Sequence, residues 1–216
     1  MSKKASKKRP TKTRPGKTGK PAKKPAPKKS APKKAQAKKA AKRTGAARAA
    51  VSTVMRDRAI GIAEFAHGMT AKFLRGFSDA QLTAQPAGLP NHALWTVGHL
   101  AVTAQWLAGM IDGKPGTLPA SYDKLFGYGS TPIDDPAAYP PYAEVLREFD
   151  STFARVIDAA RALDDAGLHA PCTCDTGGFC SDKLDAINKG AWHEGWHLGQ
   201  LASLRKALGL PSAMGG

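Results

Sequence analysis

The sequence predicts an all-α protein, a four-helix bundle of up-down-down-up topology with a disordered N-terminal tail. Four segments repeat apolar residues at helical spacing, and no segment alternates with the period of two that is typical of a strand. The first 50 residues contain 20 of the 33 Lys and Arg residues and none of the 17 Asp and Glu residues. We therefore expect a tail over residues 1–50 and one bundle domain over residues 51–216.

Two helices are predicted in the first half of the domain. The first runs from about Thr53 to Gly76. Its predicted core-facing stripe is Met55, Ala59, Ile62, Ala66, Met69 and Phe73. The second helix begins after Pro90, with Asn91 as its N-cap, and ends near Asp112.

Two further helices are predicted in the second half. The third runs from about Tyr142 to Leu163, and the fourth begins near a capping Ser181. A glycine and then a proline end the fourth helix at Gly209–Pro211. The link over residues 113–141 is long enough to cross the bundle, so helices two and three are expected to run parallel. Shorter links favour antiparallel neighbours elsewhere.

The basic tail is too polar to fold alone. It consists mainly of Lys, Ala, Pro, Ser, Thr and Gly and has no aromatic residue, so it buries too little apolar surface to offset its conformational entropy. Lysine pairs recur every five residues from Lys23 to Lys39, a pattern that resembles the tails of linker histones and of bacterial nucleoid proteins. Such a tail binds DNA or RNA without sequence preference; the alternative is a solubilising extension.

Composition also predicts the compartment. No run approaches the ~20 apolar residues of a transmembrane helix, and the apolar stretch of a signal peptide is missing after the basic start. Three cysteines do not form a disulfide framework. We therefore expect a cytoplasmic protein without a membrane partner, associated with the nucleoid if the tail binds DNA.

His193 and His197 lie four residues apart and so share one face of the fourth helix. The same face carries Leu201, Leu204 and Leu208, so we expect it to pack against the hydrophobic core. Buried imidazoles need partners, because an unsatisfied polar group costs roughly 2–7 kcal/mol. One divalent metal ion, such as zinc or nickel, would satisfy both rings. Hydrogen bonds between two core histidines are the alternative, and the spacing leaves both open.

His99 is the candidate third ligand. It lies about 13 residues from the C-terminal end of helix two, whereas His193 and His197 lie about 12 and 16 residues from the start of helix four. At 1.5 Å per residue these depths are roughly 20 Å and 18–24 Å, so antiparallel helices would bring the three rings to one level. Three His ligands with an open fourth position are typical of a catalytic metal site.

The run HEGWH also matches the H-E-x-x-H signature of zinc proteases, in which the glutamate is the general base. The extended motif requires Gly and His where this chain has Gln200 and Ser203, and residues 198–216 contain no acidic third ligand. We therefore discount a protease. Glu194 is expected to be a solvated or cleft-rim carboxylate, and no catalytic residue is assigned.

The cysteines, His67 and the tryptophans give weaker indications of function. The spacing of Cys172, Cys174 and Cys180 is not a usual zinc pattern, so these are expected to be free loop thiols. A thiol near the metal, or a disulfide formed on oxidation, is the alternative. His67 could approach the same core but no spacing supports it. The four tryptophans are expected to form core and cleft walls rather than a stacking platform for bases.

The segments NHALWTVGHLA and AWHEGWHLGQLASLRKALGLP resemble those of the DinB-like (damage-inducible) four-helix metalloprotein family. The resemblance covers roughly residues 55–212 and implies that His99, His193 and His197 are metal ligands. Family members with assigned activities include transferases and isomerases that use a low-molecular-weight thiol, and many members have no assigned reaction. The basic tail and the cysteine-rich loop are not part of the family pattern.

Two classes of function therefore compete. In the first, the bundle is a metal-dependent enzyme, a thiol transferase or a hydrolase, that acts on a small molecule while the tail localises it. In the second, the protein is a nucleic-acid-associated factor whose bundle is a structural or sensing module. The sequence leaves the substrate, the metal and the formation of a homodimer open.

Overall fold

A computed structural model of the protein describes the backbone of residues 34–215 and the side chains of residues 54–215, except those at positions 87 and 165. All regular secondary structure in this part of the chain is helical, as the sequence predicts. Disorder is predicted for residues 1–50: residues 1–33 lie outside the described residues, and the backbone of residues 34–50 is helical and continues into the first bundle helix, which the sequence predicts to begin near Thr53. The bundle belongs to the compact unit Ala41–Gly216.

Four long helices build the bundle: α1 (Lys34–Phe73), α2 (Ala93–Asp112), α3 (Tyr142–Arg161) and α4 (Lys183–Ala207). Shorter helices at Asp79–Leu82, Ala120–Phe126 and Asp165–Leu168 lie in the connections. Two 3-10 turns, Pro86–Gly88 and Pro136–Ala138, complete the regular structure of the described residues. None of the helices in the described part has the length and apolar character needed to cross a membrane.

Two apolar clusters fix the directions of the helices. The first joins the N-terminal half of α2 to the start of α3, the end of α1 and the end of α4, through Leu94, Val145, Leu74 and Leu204. The second joins the C-terminal half of α2 to the end of α3 and to earlier turns of α1 and α4, through Leu107, Ile157, Ile60 and Ile187. Hence α2 and α3 run parallel, while α1 and α4 run opposite to them. The predicted up-down-down-up topology is confirmed.

The predicted buried stripe of α1 is confirmed at Ala59 and Ala66 and wrong at Met55 and Ile62. Ile62 is 60% exposed, whereas Ile60, Ala63 and Leu74 are buried. This helix carries apolar residues on two faces, since Phe65 is also exposed. Helical periodicity identifies such faces, but the packing partner decides which face is buried.

The start of α2 differs from the prediction by one residue. His92, not Asn91, is the N-cap, and its Nδ1 accepts a hydrogen bond from the backbone N–H of Trp95 at 3.0 Å. The other nitrogen, Nε2, donates to the carbonyl of Ile133 at 3.0 Å. These two bonds satisfy both ring nitrogens and allow full burial of His92, which frees Asn91 to contact α4.

Candidate metal centre

The structure brings the three predicted histidines together in the middle of the bundle. His99 comes from α2, and His193 and His197 come from successive turns of α4. One ring nitrogen from each lies within 4.8 Å of the other two, a grouping that could hold a metal ion. The Nε2 atoms of His99 and His193 are 3.3 Å apart. The three histidines lie together because α2 and α4 are antiparallel, which places all three at the same level along the bundle.

His99 is held by the short helix Ala120–Phe126. Its Nδ1 lies 2.7 Å from the carbonyl oxygen of Phe126. A carbonyl oxygen only accepts hydrogen bonds, so Nδ1 carries the hydrogen and the lone pair of the neutral ring is on Nε2. The indole of Trp95 stacks on the same ring, with centroids 4.7 Å apart and planes 8° apart. His99 therefore presents an unprotonated Nε2 to the other two histidines.

His197 is held in an equivalent way by a side-chain amide. Its Nδ1 donates to Oε1 of Gln200 at 2.9 Å, and the same oxygen accepts a hydrogen bond from Nδ2 of Asn91 at 3.0 Å. The Nε2 atom of His197 is thus left with its lone pair. Asn91 links the loop before α2 to α4 and so fixes the amide of Gln200. Partners of this kind orient metal-binding histidines in other proteins.

All three rings are neutral near pH 7. Burial lowers the pKa of His99, against the opposing effect of its bond to Phe126. Burial and the neighbouring His99 lower the pKa of His193 to about 4. Burial and the two other histidines lower the pKa of His197 to about 3, although Gln200 opposes the change. Burial of the rings, and for His193 and His197 also the repulsion of a neighbouring ring, therefore disfavours the protonated forms and keeps the ring lone pairs available.

Glu194 and His67 were not assigned to the site from the sequence. Glu194 is 7% exposed, so the predicted solvated or cleft-rim position is wrong. Its Oε1 lies 3.3 Å from Nδ1 of His67 on α1. A signal for His67 exists in the sequence, because it lies on the face of α1 that includes Ile60, Ala63 and Leu74. The predicted stripe ran through Ile62 and Met69 and therefore left out the side of the helix that carries His67.

The cysteines are free, as expected, and do not share one environment. Cys174 is exposed, Cys172 is partly buried and Cys180 is buried. Burial raises the pKa of Cys180 to about 11 and also raises the pKa of Cys172. Both thiols are therefore protonated near neutral pH, which opposes metal ligation by a thiolate.

Two tryptophans of α4 are not in the core. Trp192 and Trp196 are 54% and 58% exposed and meet edge to face, with ring centroids 5.2 Å apart. Trp95, by contrast, is buried against His99. The prediction of core and cleft walls holds for Trp95 in the core and for Trp196, which lines a cleft beside Leu89 and Pro90, whereas Trp192 is exposed.

The fold and the site define a four-helix-bundle protein with a buried cluster of three histidines. A family model described as the DinB superfamily matches residues 62–201, more than half of the chain and a range that includes all three histidines. The chain belongs to the DinB superfamily, which confirms the resemblance seen in its sequence. A comparison with curated proteins found no match.

Proposed function

We propose that His99, His193 and His197 bind a divalent metal ion, zinc, nickel or a similar ion. We further propose that the protein is a metal-dependent enzyme that acts on a small molecule with a thiol co-substrate. The observation that carries the proposal is the convergence of three neutral rings, two of which have their outer nitrogens fixed by Phe126 and Gln200. Membership of the DinB superfamily supports it.

The donor set fits such an ion in type and spacing. Two imidazole nitrogens about 2.0–2.1 Å from one tetrahedral zinc ion lie about 3.3 Å apart. The Nε2 atoms of His99 and His193 have this separation. Neutral imidazole is a preferred ligand of zinc and nickel, and three protein ligands leave a coordination position for a further group.

The protein's own residues orient the histidine rings and keep water away from the site. Phe126, Gln200 and the stacked Trp95 hold two of the rings in one direction, so that little reorganisation is needed on binding. The bound ion would lower the pKa of a water or thiol at its open position and so provide a nucleophile near neutral pH. The apolar walls around His193, which include Leu100, Leu107 and Phe153, keep the site poorly hydrated.

Metal analysis of the purified full-length protein tests the ligand assignment. We expect about one equivalent of metal in the wild type and a near-complete loss in H99A, H193A and H197A. H169A is the matched control, because its ring lies in a loop with a side chain that is 55% exposed. Full metal content in the three ligand variants would exclude the assignment. A thiol-transferase screen of the zinc-loaded and nickel-loaded protein then tests the proposed reaction class.

The charge segregation of the sequence favours a second role, nonspecific binding of nucleic acid by residues 1–50. This stretch has 20 basic residues and no acidic residue, which predicts affinity that falls steeply with salt. Binding of the full chain and of residues 51–216 to duplex DNA, measured at several salt concentrations, tests it. Equal binding by both chains would exclude the tail as the binding element.

A further inference from the structure

A cleft lies between α4 and the loop that precedes α2. Leu89 and Pro90 of the loop and Trp196 of α4 line it. Its volume is about 280 Å³. Sites for small molecules usually occupy roughly 300–1,000 Å³, so this cleft has room for one small ring system and little more. Its described lining residues differ from those of the apolar walls around His193.

The walls of the cleft suit a flat ring. The indole of Trp196 is 58% exposed, and an edge-to-face contact with Trp192, with ring planes 80° apart, restricts its rotation. Gly199 lies about one turn further along α4 and leaves space in the cleft, because a Cβ atom built on it would meet nothing within 4 Å. A flat ring that stacks on the indole would therefore cover apolar surface that otherwise contacts water.

Two side-chain amides supply polar groups to the cleft. Oε1 of Gln200 already accepts hydrogen bonds from His197 and Asn91. In the described part of the chain, neither Nε2 of Gln200 nor Oδ1 of Asn91 takes part in a hydrogen bond. Both residues line the cleft, so the two amides offer a free donor and a free acceptor to a ligand. A ligand that carries an acceptor next to a donor would pair with both.

The described lining of the cleft is uncharged. It consists of apolar residues, the two amides, Gly199 and the hydroxyl of Ser203. A carboxylate, phosphate or ammonium group would lose hydration there without gaining an opposite charge, which favours a neutral ligand. These described residues also include no lysine or arginine to hold phosphates. They therefore favour a free small molecule over a base of a nucleic acid.

We propose that this cleft binds a small neutral lactam, a flat ring whose edge carries a carbonyl group next to an N–H group. The carbonyl of the lactam accepts a hydrogen bond from Nε2 of Gln200, and its N–H donates to Oδ1 of Asn91. The ring lies against the indole of Trp196. None of these contacts requires a metal ion at the three histidines.

Titration of the full-length, metal-free protein with uracil, followed by NMR chemical shifts, tests the site. We expect saturable shifts of the indole N–H of Trp196 and of the side-chain amide of Gln200. Dimethyluracil, in which both N–H groups of the ring are methylated, is expected to bind at least about tenfold more weakly, because the acceptor of Asn91 is then left without a donor.

A pair of glycine variants provides the matched control. G199L places an alkyl side chain in the cleft and is expected to abolish the shifts. Gly195 also lies in α4, and a Cβ atom there would likewise meet nothing within 4 Å, but Gly195 does not line the cleft. G195L is therefore expected to bind uracil as the wild type does. Circular dichroism establishes that both variants are folded.

Several outcomes would overturn the lactam site. These are the absence of saturable shifts with uracil, equal binding of dimethyluracil, or binding by G199L that equals binding by G195L. Tighter binding of a single-stranded oligouridylate that is lost in G199L would also overturn the assignment to a small molecule, because the ligand would then be a base of a nucleic acid. The titration is made without metal, so its result is independent of the metal proposal.

Discussion

The ring of Phe126 packs directly against the backbone of Gly98, one residue before the candidate ligand His99. A Cβ atom built on Gly98 would overlap this ring. Phe126 is fully buried, so its ring has little freedom to move away. The carbonyl of the same residue accepts the hydrogen bond from His99. Because Gly98 has no side chain, Phe126 can approach α2 closely enough for its carbonyl to orient His99.

The first prediction concerns G98A. Forcing a methyl group against the buried ring of Phe126 costs about 1–3 kcal/mol, and better helix propensity returns up to ~1 kcal/mol. We expect a net loss of about 1–2 kcal/mol in the free energy of unfolding, measured in urea, and weaker zinc binding because the carbonyl of Phe126 moves.

G195A is the matched control for that variant. Gly195 lies in α4, and a Cβ atom there would meet nothing within 4 Å. Only the gain in helix propensity applies, so that G195A should be as stable as the wild type or slightly more stable. Equal stabilities of G98A and G195A would show that Phe126 does not restrict position 98.

The second prediction concerns the amide that fixes His197. Q200L removes the oxygen that accepts hydrogen bonds from His197 and Asn91, whereas Q200E keeps an acceptor at the same place. We expect Q200L to bind zinc about 10–100-fold more weakly, because outer-sphere partners contribute that much to metal affinity. Q200E should stay within a few-fold of the wild type, as should S203A, whose hydroxyl only bonds the carbonyl of Gly199. Competition with a chromogenic chelator measures these affinities. Comparable affinities of Q200L and Q200E would exclude an orienting role.

The sequence was sufficient to predict the architecture of the bundle. Helical periodicity located α2 and α3 nearly to the residue, and the long link between them predicted their parallel directions. The same reasoning placed His99, His193 and His197 at one depth, where the structure has them. The distance of a residue from the end of its helix follows from the number of intervening residues and the rise of 1.5 Å per residue, so it can be calculated from the sequence.

The surroundings of the three histidines could not be predicted in this way. The carbonyl of Phe126 reaches His99 from a short helix in the long link, and no periodic pattern encodes that approach. The burial of Glu194 depends on how α1 is rotated against α4. Because α1 has two apolar faces, tertiary packing decides its exact rotation, and the sequence therefore did not place His67 against Glu194.

The third prediction concerns acid stability and the pair formed by Asp112 and Arg155. Nη2 of Arg155 donates to Oδ1 of Asp112 at 2.9 Å, and the backbone N–H of Lys114 donates to the same atom at 2.8 Å. Burial alone would raise the pKa of Asp112. The hydrogen bonds and charges of Arg155 and Lys114 outweigh it and hold the pKa below its ordinary value of 3.8.

The sign of the pH dependence follows from that lowered pKa. A carboxyl with a lower pKa in the folded state stabilises the fold fully above its unfolded-state pKa, and this stabilisation is lost as the pH falls through the folded-state pKa. D112N lacks the titrating group. We therefore expect the difference in unfolding free energy between wild type and D112N to be largest near about pH 6 and to shrink near about pH 2.5. Urea unfolding at both pH values measures the difference. D158N, which removes a carboxylate that is 79% exposed, should show little effect at either pH. A difference for D112N that is equal at both pH values would mean that Asp112 does not stabilise the connection after α2 as a charged group.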